Sequence, residues 1–166
     1  MKRKFTPPNK IYGEDTTKYG EFVCSTFHWL PPEKQKEQTI VARVRFNDSG
    51  HQHILSNMQL GGSSLTLGDV VNKNSAKPCY NAYVETPDKF SQKYQKICHS
   101  SAINPGNTFY IVVGRFDNAS KTMSIFVNGA KKDLTLPDNS FISPSPIDYG
   151  VGGNSGGSLG VNSYYL

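Results

Sequence analysis

Residues 107–134 read NTFYIVVGRFDNASKTMSIFVNGAKKDL, and this stretch decides the fold class. Residues 109–116 and 122–127 are two apolar runs separated by the polar turn DNAS. β-branched and aromatic residues dominate both runs, so the pair predicts a β-hairpin. Asn128-Gly129 then has the chemistry of a two-residue type I′ turn, which predicts a third strand directly after it.

Residues 39–46, TIVARVRF, give the second strong strand signal. Alternation of apolar and other residues predicts a strand with one buried face. The predicted buried face holds Ile40, Ala42, Val44 and Phe46, and the opposite face holds Val41, Arg43 and Arg45.

Further short strands complete a turn-rich pattern. Residues 90–100 fit either a strand or one helical turn. Regular short strands with loops between them predict an antiparallel sandwich or barrel. The other predicted strands cover residues 21–30, 53–58, 64–67, 80–85, 147–151 and 161–166.

Composition limits the other possibilities. The 166 residues fit one domain, and a composition rich in aromatic residues, Gly (15) and Pro (10) but with few Ala, Leu or Glu excludes a helical bundle or a coiled coil. Nine Phe and nine Tyr argue against a disordered chain, and no apolar run is long enough for a membrane-spanning helix. We predict an arm or linker over residues 1–20 and one domain over residues 21–166. The opening MKRKFTPPNK has no apolar core, so no signal peptide is predicted in this chain.

The net charge of +5 is scattered along the chain. A nucleic-acid-binding face would gather its basic residues in one patch, so no nucleic-acid partner is expected.

Residues 107–152 resemble the signature hairpin of laminin-G-like jelly-roll domains, which belong to the concanavalin A-like lectin and glucanase superfamily. The resemblance lies in the aromatic-Asp turn at Phe116-Asp117, in the FVNG turn over residues 126–129 and in the later step GVG. It extends with weaker matches over about residues 21–166 and implies a jelly-roll β-sandwich. The last residues, YYL, stand where the family's final strand begins. That strand is therefore expected to be missing by truncation or replaced by another segment or a partner chain.

The resemblance implies a non-catalytic recognition module that binds carbohydrate, or a glycosylated protein surface, through its loops and concave sheet face. It also implies an extracellular, cell-surface or virion-associated location. The alternative is a structural or assembly module of a cell-surface or phage particle protein that engages protein partners, and the oligomeric state stays open. The tyrosines of the 80–94 segment are expected to be exposed, whereas Trp29 fits the core equally well. The candidate ligand-binding residues are Trp29, Asn57, Gln59, Tyr80, Asn81, Tyr83 and Tyr94.

An enzyme is not expected. Retaining glycoside hydrolysis needs two carboxylates about 5–5.5 Å apart. Glucanases of the superfamily place them on one strand as E-x-D-x-E, and the sequence has no such triplet. Glu85 and Asp88 flank Thr86-Pro87, a spacing that does not put both carboxylates on one strand face.

Calcium is the one candidate cofactor, because many relatives of this fold bind it with loop carboxylates. The candidate ligands are Asp48, Asp69 and Asp117, although Asp117 also fits turn chemistry. No EF-hand pattern is present. His51 and His53 share a strand face and fit either a metal site or a solvated pair.

Cys79 and Cys98 flank a polar stretch and are candidates for a disulfide that would stabilise the fold by about 3 kcal/mol. Reduced thiols fit the sequence equally well, and no zinc-ligand spacing is present.

Overall fold

The computed structural model describes residues 26–27, 35–45, 51–68, 77–87, 89–146 and 149–151. Within these ranges every regular element is a strand, and no helix is present that is long and apolar enough to cross a membrane. The strands are β1 (Thr26–Phe27), β2 (Glu37–Val44), β3 (Gln52–Ser56), β4 (Ser63–Leu67), β5 (Pro78–Thr86), β6 (Lys89–Cys98), β7 (Tyr110–Asp117), β8 (Thr122–Val127), β9 (Ala130–Thr135), β10 (Phe141–Ile142) and β11 (Tyr149–Val151).

Several predictions from the sequence concern residues outside these ranges. They are the arm over residues 1–20, the final strand over 161–166, most of the strand over 21–30, and the candidate site residues Trp29, Asp48 and Asp69. The boundary of the domain at residue 21 stays a prediction.

The described strands form two antiparallel sheets, which confirms the predicted jelly-roll β-sandwich. Sheet A contains seven strands in the order β1-β11-β3-β4-β5, followed by β10 and β6, which both pair with β5. Sheet B contains four strands in the order β2-β7-β8-β9. β4 and β10 lie one after the other along the same edge of β5. At Tyr83 the N–H donates to the Gly62 carbonyl before β4, and the C=O accepts from the Ser143 N–H after β10. β6 therefore lies on the other edge of β5.

The hairpin predicted from residues 107–134 is confirmed as β7 and β8, with a turn that joins β8 to β9. Asn128 and Gly129 adopt φ values of 49° and 88°, which is the left-handed geometry that a type I′ turn requires. The predicted alternation of β2 is also confirmed, since Ile40 and Val44 are buried and Val41 is exposed.

The core lies between the two sheets and is formed by alternate residues of nearly every long strand. Its largest fully buried apolar side chains are Tyr80, Phe116, Leu65, Leu67, Ile103, Met123, Ile125, Val44 and Val112.

Tyr80 corrects one prediction, because it was expected to be exposed and is completely buried. On β5, Tyr80 alternates with Cys79 and Asn81 and therefore faces sheet B. Its ring packs against Gly114, where an added Cβ would lie 2.6 Å from the Tyr80 Cδ2 atom. Tyr80 is thus a core residue that cannot present its ring to a ligand.

A buried hydrogen-bond network joins the two sheets through Gln38 on β2. The Gln38 Oε1 atom accepts bonds from the Tyr80 hydroxyl and the Ser63 hydroxyl, both at 2.6 Å. The Gln38 amide nitrogen donates to the Tyr149 hydroxyl, which lies 2.7 Å from the Ser63 oxygen. Burial raises the pKa of both tyrosines, so both hydroxyls stay protonated. These bonds satisfy the polar groups that the core encloses.

Two elements refine the sequence prediction. Residues 89–98 form the ten-residue strand β6, which resolves the choice between strand and helical turn. β10 lies in a segment predicted to be a Pro-rich connection, and Ile142 donates its N–H to the Gln35 carbonyl at 2.9 Å. A strand of two residues has no alternation to detect, so its sequence carries no strand signal.

Candidate functional site

The outer face of sheet A carries a continuous set of polar and aromatic side chains, which we call the polar face. Pairing register aligns its residues in rows that cross β3, β4, β5 and β6. One row is Ser56, Ser64, Asn81 and Lys96; the next is His53, Thr66, Cys79 and Cys98; and Tyr83 pairs with Tyr94 beside them.

Asn81 lies at the centre of the polar face. Its Nδ2 atom donates to the Ser64 hydroxyl at 3.2 Å and to the Thr66 hydroxyl at 3.1 Å. Its Oδ1 atom accepts a bond of 2.8 Å from the Tyr94 hydroxyl. Because Asn81 is completely buried, it does not contact a ligand directly, which corrects its predicted role. Its amide instead fixes the position of the Tyr94 ring.

Tyr83 and Tyr94 are the partly exposed aromatic residues of the polar face. Their ring centroids lie 5.9 Å apart at an interplanar angle of 64°, which is an edge-to-face arrangement. Both side chains are partly exposed, in agreement with the expected exposure of this segment. The pair offers one aromatic surface with a hydroxyl that Asn81 holds in place.

The loop between β3 and β4 forms the rim beside these tyrosines. Leu60 has a φ of 55° and is 74% exposed, which is an unusual combination for a branched apolar residue. The Gln92 side-chain amide donates to the Leu60 carbonyl at 2.9 Å and fixes the loop to β6. Gly62 has a φ of 78°, and an added Cβ would lie 2.3 Å from the Asn57 Oδ1 atom. The rim is therefore strained at Leu60, and only glycine fits at position 62.

Asn57 and Gln59 lie within this rim. Asn57 is completely buried and accepts a bond of 2.8 Å from the Ser63 N–H, so it holds the loop and does not contact a ligand directly, contrary to its predicted role. Gln59 is partly exposed, yet its Oε1 atom is buried and has no hydrogen-bond donor among the described residues. A buried acceptor without a donor is uncommon in folded proteins. The Gln59 Oε1 atom is thus a buried acceptor whose hydrogen bond is not made by the described residues.

His53 belongs to the polar face on β3, and His51 lies directly before this strand. Their ring centroids lie 4.9 Å apart, and His53 is 5% exposed. Burial lowers the pKa of His53 to about 4, with a smaller contribution from the neighbouring His51. Within the described residues no three His, Cys, Asp or Glu side chains come together as a metal site.

Asp117, the candidate calcium ligand within the described residues, has other partners. Its Oδ1 atom accepts the Ser120 N–H at 3.1 Å, and its Oδ2 atom lies 2.7 Å from the Arg115 guanidinium. The Ser120 bonds and Arg115 lower the pKa of this carboxyl. These contacts are those of a turn-forming aspartate.

Cys79 and Cys98 occupy directly paired positions on β5 and β6, and their sulfurs are bonded to each other. The bond joins the two strands at the end of the polar face opposite to Tyr83 and Tyr94.

A solved structure has a similar fold. The structure is similar to a chain described as mouse laminin alpha1 chain, domains LG4-5, with a TM-score of 0.53 and 10% sequence identity. The similarity covers 81% of this chain, which spans 34% of the length of the laminin chain. The fold is therefore laminin-G-like. No protein family model matches the sequence, and no curated protein matches it.

Sequence reasoning missed three residues of this region, namely Leu60, Gln92 and Lys96. Leu60 precedes Gly61-Gly62, and this glycine pair was the available signal for a strained loop. Gln92 and Lys96 lie two residues on either side of Tyr94, so they share its face once residues 89–98 are known to be a strand.

Proposed function

We propose that this protein is a non-catalytic recognition module that binds carbohydrate, free or displayed on a glycosylated protein, through the Tyr83–Tyr94 end of the polar face. One observation carries the proposal: a partly exposed aromatic pair lies beside a strained polar rim. Such a surface suits a ligand that has both apolar C–H faces and many hydroxyl groups.

The mechanism follows from the chemistry of these side chains. A sugar ring packs its C–H face against the Tyr83 or Tyr94 ring, which contributes apolar contact at little cost in side-chain entropy. The Tyr94 hydroxyl donates to Asn81, and this bond fixes the ring against which the sugar packs. Gln59, whose side chain is partly exposed, adds a polar group beside the aromatic pair. No bond is broken in this mechanism, which requires only shape and hydrogen bonds.

The laminin-G-like fold supports a binding role, although at 10% identity the similarity concerns the fold alone. An extracellular, cell-surface or virion-associated location goes with this proposal, because such surfaces display glycans. Calcium at Asp48 or Asp69 stays a prediction that the same experiment addresses.

The test is a glycan array probed with the folded protein, once with calcium and once with a chelator. We expect saturable binding that falls at least about tenfold in Tyr83→Ala, the change that a loss of 1.4 kcal/mol produces. Phe109→Ala is the matched control, because Phe109 is an aromatic residue that directly precedes β7 of sheet B and is 44% exposed. Loss of binding with chelator would assign a calcium ion to the site.

Two results would contradict the proposal. A blank array from a sample with a cooperative unfolding transition would exclude carbohydrate as the ligand. Binding that Tyr83→Ala and Phe109→Ala weaken equally would place the site elsewhere on the molecule.

A further inference from the structure

The edge strands of the sandwich differ in how they are protected. β9 (AKKDLT) and β6 (KFSQKYQKIC) carry lysines along their length, which is a common protection against pairing with another chain. β2 (EQTIVARV) has neither lysine nor proline. It pairs with β7 over eight residues without a bulge, and no other described strand pairs with it. Among the described strands, β2 is thus a long, regular edge without these protections, and β10 meets the chain only at Gln35, before β2 begins.

The sheet face beside this edge carries one apolar row between polar ones. Val41, Val113 and Phe126 form one row across β2, β7 and β8. Val41 is 67% exposed, and Ile111 in the adjacent row is 51% exposed. A strand added to β2 would cover Val41 and extend this row, and the burial of apolar area would favour the addition.

The charges on this face are separated along β2. Glu37 lies at its start, directly opposite Asp117, and has no cationic partner among the described residues. Arg43 and Arg45 lie at its end, with the Arg43 guanidinium 3.9 Å from the centre of the Phe109 ring. Neither arginine has a carboxylate partner among the residues that the structure describes. The edge therefore has a negative end and a positive end.

We propose that β2 pairs antiparallel with β2 of a second copy of this chain, which joins two four-stranded sheets into one continuous sheet. A two-fold axis at Ile40 places Glu37 of each copy opposite Arg43 of the other. An axis at Val41 places Glu37 opposite Arg45 and the two Val41 side chains opposite each other. Either register brings opposite charges together on the same face of the sheet. Like charges at these positions would oppose the pairing of the two strands.

The symmetry of this contact limits the assembly to a dimer. Each copy uses its β2 edge, so neither copy has a free β2 edge left for a third copy. The polar face belongs to sheet A and stays accessible in both copies. A dimer therefore presents two polar faces, which would raise the apparent affinity for any multivalent surface. The self-association itself does not depend on the proposed carbohydrate function.

Charge reversal tests the proposal with the whole chain. We expect wild-type protein to show a concentration-dependent monomer–dimer equilibrium in sedimentation experiments. Glu37→Arg and the double variant Arg43→Glu/Arg45→Glu should each raise the dimer dissociation constant by about tenfold or more, because each turns two symmetric attractions into repulsions. An equimolar mixture of the two variants should recover dimers, since every reversed charge then meets its opposite.

Asp138→Arg is the control, because it makes the same change of net charge in an exposed turn as Glu37→Arg. Hydrogen exchange of the β2 amides gives a second readout and should slow as the protein concentration rises. A wild-type monomer at every concentration would overturn the proposal. A dimer that the variants leave unchanged, or a mixture that fails to recover dimers, would overturn it as well.

Discussion

The two sheets enclose one core, but their outer faces differ in composition and in exposure. On sheet A, Ser64, Thr66 and Asn81 are completely buried and bonded to one another. On sheet B, Val41 and Ile111 are apolar and more than half exposed. Polar residues are thus buried on the outer face of sheet A, whereas apolar residues are exposed on the outer face of sheet B.

The difference identifies two kinds of surface. A buried polar group is tolerated only when its hydrogen bonds are made, so sheet A maintains a bonded network beneath Tyr94. An exposed apolar row has no such requirement, and its usual role is to be covered by another molecule. We therefore expect changes on the polar face to affect the stability of the monomer and changes on the sheet B face to affect its association.

The largest effect concerns the pH dependence of His53. Its pKa of about 4 in the folded protein lies below the value of 6.5 for an unfolded chain, so the unfolded state binds the proton more readily between these values. The free energy of unfolding should then be fully maintained above pH 6.5 and fall by about 3 kcal/mol as the pH drops to 4. Urea unfolding across this range measures the fall.

His53→Gln is the variant that isolates this effect. This variant lacks the titrating ring, so its free energy of unfolding should change little between pH 6.5 and 4. Any loss of packing lowers its free energy of unfolding by the same amount at every pH and is measured at pH 7.5. The lowered pKa values of Asp117 and Asp133 act in a more acidic range. A variant whose pH dependence equals that of the wild type would show that His53 is solvated.

The next effect compares buried polar residues of the two faces. Asn81→Ala should lower the free energy of unfolding by about 2 kcal/mol, because it leaves Tyr94, Ser64 and Thr66 without their shared partner. Ser124→Ala on sheet B removes one bond, to the half-exposed Asp133, and should lower it by about 1 kcal/mol or less. Thermal or urea unfolding of both variants gives the order, and a larger loss in Ser124→Ala would contradict the assignment of the network to sheet A.

Much of the architecture could be predicted from the sequence, because alternation and turn chemistry are local signals. The β7–β8 hairpin, the Asn128-Gly129 turn and the buried face of β2 each follow from residues that lie within one element. The likeness of residues 107–152 to a laminin-G-like hairpin then pointed to the arrangement of two sheets, which the structure shows.

The candidate site was predicted only in part, because the face on which a residue lies depends on partners distant in sequence. Tyr80 and Tyr83 look alike in the segment YNAYVE, yet one packs on Gly114 across the core and the other pairs with Tyr94 on the outside. The two-residue alternation of a strand places these two tyrosines on opposite faces, but it does not show which face is buried. The burial of Asn57 and Asn81 is equally hard to predict, since a polar side chain in the sequence does not show whether hydrogen-bond partners will bury it.

The smallest effect is expected from Val41→Thr and is the most informative for sheet B. Val41 is 67% exposed, so at concentrations where the protein is monomeric the change should alter the free energy of unfolding by less than about 0.5 kcal/mol. The two side chains have nearly the same shape, and threonine is equally suited to a strand, so neither packing nor strand propensity should change. A loss well above this limit, measured by urea unfolding at low protein concentration, would mean that Val41 is already covered within a single copy. In that case the exposed apolar row would cease to distinguish sheet B from sheet A, and the proposed β2 contact would lose its apolar support.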